Sequence, residues 1–189
     1  GDPSVKRTKS QVEALVRKAG ATPPDWWDSV KLDYPATLDL TWDKKNGLHE
    51  ETKNTSLYLW WVCYPNPSRW KPGVKLLHHM LSVNQRDPVA LQKTMTALGS
   101  MYHDLLQDYA RAAFWWRKVG SSTEVRPKLA HCYWRLGSRE MAVAALSRVG
   151  RDDTQDGAVI KVWADMGDLG MALKLAEDKA RRAPEVGYL

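Results

Sequence analysis

Five histidines and two cysteines are the residues of this 189-residue chain best suited to metal or nucleophilic chemistry, and their spacing favours neither. His78 and His79 are adjacent, so on a helix they point roughly 100° apart and cannot grip one ion. His49-Glu50-Glu51 lacks the second histidine, four residues on, that a zinc-protease helix uses. Zinc takes four ligands, often in close pairs, and neither Cys63 nor Cys132 has a partner nearby in sequence. Each reads as a small buried apolar group, with a disulfide between them left open. Asp152-Asp153 falls in a loop and reads as a helix cap rather than a metal site. There is no phosphate-cradling P-loop, no Gly-x-Gly-x-x-Gly, no Gly-x-Ser-x-Gly and no recognisable acid–base pair. The expectation is a chain that is not an enzyme and carries no cofactor.

Tryptophan is the more suggestive residue, with ten against a single phenylalanine. Its broad apolar face and lone N–H serve helix packing and ligand stacking equally well. In the adjacent pairs Trp60-Trp61 and Trp115-Trp116 the two members face different ways on a helix. One belongs in the core, and the other packs elsewhere or offers a stacking platform for a sugar or base. The net charge of +6 permits contact with nucleic acid without demanding it, because the basic residues are scattered among acids. Lys6, Arg7, Lys9, Arg17 and Lys18 form the one locally basic run and read as a solvated helix face. No apolar run reaches the 18 residues of a membrane span. Gly1-Asp2-Pro3-Ser4 reads as a trimmed start, which leaves the compartment open between cytoplasmic and exported.

The elements that position these side chains follow from a repeat. Leu106–Gly120, Leu136–Gly150 and Met166–Ala180 align at a spacing of thirty, matching Leu106 with Leu136 and Met166, and Ala112 with Ala142 and Ala172. Such a period marks an array whose units bury their apolar faces against their neighbours. Helical patterns pair accordingly: Pro88–Leu105 with Asp108–Val119, Thr123–Leu136 with Ser138–Val149, Asp156–Met166 with Leu169–Ala183. Gly137 and Gly167 stand one residue past a first helix, where a left-handed cap favours glycine. The first unit has Gln107 there, and one extra residue between Tyr102 and Leu106, so its turn should differ. Upstream, Ser10–Gly20 reads as a helix capped by Ser10, with Val12, Leu15, Val16 and Ala19 on one side. Gly73–Gln85 reads as an amphipathic helix with Leu76, Leu77, Met80 and Leu81 inward, and Thr55–Tyr64 as a buried one. Thr22–Asp43, rich in proline, reads as an extended arm pinned by Trp26, Trp27, Tyr34 and Trp42. The expected organisation is therefore 1–47 for a helix plus arm, 48–86 for a degenerate helix pair, and 87–189 for three full pairs.

Leu98-Gly99, Tyr102, Tyr109, Ala112 and Trp116 resemble the tetratricopeptide consensus of Leu-Gly, Tyr, Tyr, Ala and a large apolar residue. Leu129-Ala130, Tyr133, Gly137, Ala142 and Leu146 resemble it again, and Trp163, Gly167, Ala172 and Ala176 form a weaker third copy. The stretch from Leu98 to Gly120 also resembles the Sel-one-like subclass. The resemblance covers roughly Pro88–Ala180 and departs in its units of thirty residues rather than thirty-four. It implies an all-α fold, a right-handed stack of antiparallel helix pairs, preceded here by the irregular Trp- and Pro-rich arm.

In the resembled family the first helices line a concave surface that receives an extended peptide. That frame directs Lys93, Ser100 and His103 of the first unit toward a groove, with His131, Trp134 and Arg135 of the second and Lys161 of the third. The set is polar to basic and suits an acidic peptide or a terminal carboxylate. The expected function is a non-catalytic scaffold module with a protein or peptide partner. The alternative is a glycan or cell-envelope polymer bound by exposed tryptophans, and nucleic acid, supported by net charge alone, ranks below both.

Overall fold

The computed structural model describes residues 2–21, 24–26, 63–147 and 156–182, which contain helices and turns and no strand. Most of the expected arm, the expected helix up to Val62, Trp60-Trp61, His49-Glu50-Glu51 and Asp152-Asp153 lie outside the described residues. So does the expected boundary near residue 47. The chain forms two compact units, one on residues 13–119 and the other on residues 2–12 with the chain from Gly120 onward. The division falls inside the stretch 87–189.

Helix α1 spans Lys9–Ala21. Its cap is Thr8, not the expected Ser10. The Thr8 hydroxyl accepts from Gln11 N–H at 3.3 Å while Gln11 Oε1 accepts from Thr8 N–H at 2.9 Å. This reciprocal box, Thr-x-x-Gln, satisfies two backbone donors at once and so outcompetes a lone serine two residues later. Val12 and Val16 are buried one turn apart, whereas Leu15, expected inward, is exposed.

In the first unit, a short 3-10 turn at Pro67–Arg69 leads into α2, Trp70–Val83. The helix starts three residues earlier than Gly73 because Pro72 falls in the first turn, where no intrahelical N–H is needed. Val74, Leu76 and Leu77 are buried; Met80 and Leu81, expected inward, are half-buried. Helix α3, Pro88–Ser100, is capped by the Asp87 carboxylate, which accepts from Val89 and Ala90 N–H at 3.1 Å each. It runs on as a π-helical segment, Met101–Leu105, and α4 follows at Tyr109–Val119. Gly99 has a packing reason. A Cβ there would stand 2.8 Å from the ring of buried Trp116, so the indole needs a bare backbone to lie on.

In the second unit, α5 (Val125–Arg135) packs on α6 (Arg139–Ser147), and α7 (Asp156–Asp165) on α8 (Leu169–Arg182). The two first helices, α5 and α7, also touch each other.

The three hairpins close in one way. The residue after each turn accepts a backbone N–H three positions on: Asp108 from Arg111 at 3.1 Å, Ser138 from Met141 at 3.3 Å, Asp168 from Met171 at 3.0 Å. Each such cap is worth about 1 kcal/mol. The residue before the cap is left-handed in all three, with φ of +51° at Gln107, +92° at Gly137 and +82° at Gly167. The first turn therefore keeps the shape of the others despite lacking glycine. Its extra residue is taken up in the helix: Leu106 N–H bonds Met101 O, five back, where Leu136 and Met166 bond four back to Cys132 and Val162. A π segment is the local geometry that absorbs one inserted residue. Ala112, Ala142 and Ala172 are buried to 0%, 0% and 7% exposure, and Tyr102, Tyr133 and Trp163 on the first helices are buried too. Cys63 and Cys132 are both buried, as expected.

Two substitutions test this packing. Ala142→Leu overfills a fully buried position and should lower stability by about 1–3 kcal/mol in a denaturant melt. Gln107→Gly removes a left-handed strain of about 1 kcal/mol and should raise the melting temperature. An unchanged melt for Ala142→Leu, or a fall for Gln107→Gly, would contradict the assigned geometry.

Candidate functional site

On α5, His131, Trp134 and Arg135 sit at i, i+3 and i+4 and so share one side of the helix. The His131 and Trp134 ring centroids are 5.9 Å apart, tilted by 50°. The Arg135 guanidinium carbon lies 6.0 Å over the Trp134 ring, at the outer range of a cation–π contact. All three side chains are half-buried. Lys161 stands on α7, the neighbouring first helix, at the position equivalent to His131, and is exposed. The arrangement is an aromatic and cationic surface. It offers directional donors for carboxylates.

The carboxylate of Asp2 is an exposed neighbour of this cluster. The Ser4 backbone N–H, then the Ser4 hydroxyl, hold it below the ordinary carboxylate range; Arg135 and Arg7 add attraction.

The first unit places its expected residues differently. Lys93 is exposed and Ser100 half-buried. The His103 side chain is only 11% exposed, with its ring edge-on to Tyr109 at 5.9 Å and Trp116 at 6.4 Å and its Nδ1 3.9 Å from the Asp104 carboxylate. The π segment carries it into the packing.

Sequence reasoning missed a polar layer under this segment. The Tyr102 hydroxyl lies 3.0 Å from His78 Nε2, and the His78 ring meets the edge of Trp115 at 5.5 Å. Burial, then the Arg111 charge, lower the His78 pKa to about 4. The Tyr64 hydroxyl donates to Asp104, and Arg111 donates to Asp108. Burial first, then Asp104, raise the Tyr64 pKa well above its ordinary value, and burial raises that of Tyr102. The one signal in the sequence was His78 directly after the buried pair Leu76-Leu77; its partner came from another helix. Among the described residues, no three His, Cys, Asp or Glu side chains converge as metal ligands would, and no helix is long and apolar enough to cross a membrane.

No protein-family model, curated protein or solved structure matches this chain.

The depressed His78 pKa has a sign. The folded chain holds this imidazole neutral, while the unfolded chain protonates it near 6.5, so the unfolded state binds the extra proton as pH falls. Stability should be fully present above pH 6.5 and decline from there toward pH 4. His78→Gln should flatten that slope in urea melts at pH 7 and 5; an unchanged slope would show that His78 is already charged in the fold.

Proposed function

We propose that this chain is a non-catalytic helical-repeat module, tetratricopeptide-like in its stacking, that binds a protein or peptide partner through its first helices. The observation that carries the reading is the hairpin closed three times by one pattern of left-handed residue, side-chain cap and buried alanine. A repeated scaffold of this kind offers an extended surface rather than a cleft. In the second unit the surface is His131, Trp134 and Arg135 with Lys161 beside them; in the first it is Lys93 and Ser100, with His103 as a packed support. Cations and an aromatic face suit an acidic peptide or a chain's terminal carboxylate. Binding of a glycan through tryptophans has less support. Trp26, Trp70, Trp115 and Trp134 are each half-buried, Trp116 and Trp163 are buried, and none of the described tryptophans is exposed.

Titrating acidic peptides with free or amidated C-termini against tryptophan fluorescence tests the proposal. Arg135→Glu should weaken binding at least about tenfold, the cost of one charge-assisted bond, and Trp134→Ala should weaken it too. Affinities indifferent to both changes would remove this surface from the reading.

A further inference from the structure

The second unit contains the same turn twice, once covered and once bare. At the covered turn, Gly137 N–H bonds Trp134 O at 2.8 Å and Ser138 N–H bonds Tyr133 O at 2.9 Å. At the bare turn, Gly167 N–H bonds Ala164 O at 2.9 Å and Asp168 N–H bonds Trp163 O at 3.0 Å. The two glycines differ in φ by ten degrees, +92° against +82°. The backbone offered to a visitor is therefore alike.

What covers the first of them is the segment Val5–Arg7. Arg7 N–H donates to Gly137 O at 3.0 Å, and Arg7 Nη1 donates to Leu136 O at 2.7 Å. Val5 O comes so near that a Cβ on Gly137 would stand 1.9 Å from it. The chemistry of recognition is plain. The end of a helix presents carbonyls without intrahelical partners and a partial negative charge, and a guanidinium satisfies both. Glycine leaves room for a second backbone to settle against the turn.

Gly167 is exposed, and among the described residues nothing would lie within 4 Å of a Cβ there. The carbonyl equivalent to that of Leu136 belongs to Met166, and among the described residues it accepts from Nη1 of Arg139 at a long 3.4 Å. The other end of that guanidinium, Nη2, lies 3.2 Å from the Asp168 carboxylate; the Arg139 side chain is half exposed. Where the covered turn has neutral Ser138, the bare one has Asp168, with exposed Asp165 just before the turn. The bare copy is thus the more negative of the two.

We propose that the turn Met166–Asp168 is a docking site for an extended basic segment of a partner protein, one that presents an arginine to the Met166 carbonyl and lays its backbone over Gly167 as Val5–Arg7 lies over Gly137. Arg139 is its resident competitor. The site is separate from the α5 surface and does not depend on the reading given for it.

A synthetic peptide of residues 2–8 is the probe, added to the full chain and followed by amide chemical shifts. Shifts should centre on residues 165–168 rather than 136–138. Arg139→Ala, which vacates the guanidinium position, should tighten binding roughly three- to tenfold. Gly167→Ala should abolish it by placing a methyl in the path of the incoming backbone. Asp168→Asn keeps a good helix cap, so it should fold, yet should weaken binding and its salt dependence. The proposal fails if the peptide carrying Arg7→Ala binds equally well, if the shifts centre on residues 136–138, or if Arg139→Ala leaves affinity unchanged or undetectable.

Discussion

A helix that stops inside a folded chain leaves carbonyls at one end, and the helix that follows leaves amide hydrogens at its start. The hairpins described above meet both demands within three residues. One left-handed residue lets the backbone turn back onto the first helix, and the next residue supplies an oxygen to the amides of the second. With so little chain in the connection, the two helices must lie against each other. A close approach leaves little room for side chains, and the second helix of each pair carries a buried alanine at the equivalent position. Turn chemistry and core composition are consequences of one constraint.

Glycine and large aromatic rings answer the same demand elsewhere. Trp116 rests on the backbone at Gly99, and Phe114 lies where a Cβ on Gly20 would have to be, 2.0 Å from it. In both cases a flat ring gains burial because the facing residue has no side chain. Other described tryptophans are held by polar contacts: Trp70 donates its indole N–H to Cys63 O at 2.8 Å, and Trp26 lies beneath the Lys71 ammonium at 5.6 Å. The described tryptophans fill space between helices more than they face solvent.

Much of the helical framework was legible because it rests on local rules. Periodicity placed α2 to α8 to within a few residues, and Asp87-Pro88 marked the start of α3 correctly, since capping and proline effects act within one turn. The equivalence of the three alanines was visible as a spacing. What escaped was whatever depends on a second segment. Ser10 looked like a cap until Gln11 completed the box with Thr8. Gln107 suggested a different turn, yet tertiary packing imposes the same left-handed backbone at a small energetic cost. His78 and Tyr102 are twenty-four residues apart, and Arg7 meets Leu136 across more than half the chain. The candidate surface was partly legible for the same reason: i, i+3, i+4 spacing joins His131, Trp134 and Arg135, whereas nothing local announces that His103 is drawn inward.

The wide turn at Met101–Leu105 separates two properties that are usually tied together. Hydrogen bonds there reach back five residues, so the helix takes in one more residue while the left-handed residue and the cap that follow are kept. Spacing along the sequence can consequently drift by single steps while the joint downstream stays the same shape. In such a chain, kinship between units is kept in their corners, and counting residues from one unit to the next understates how alike they are.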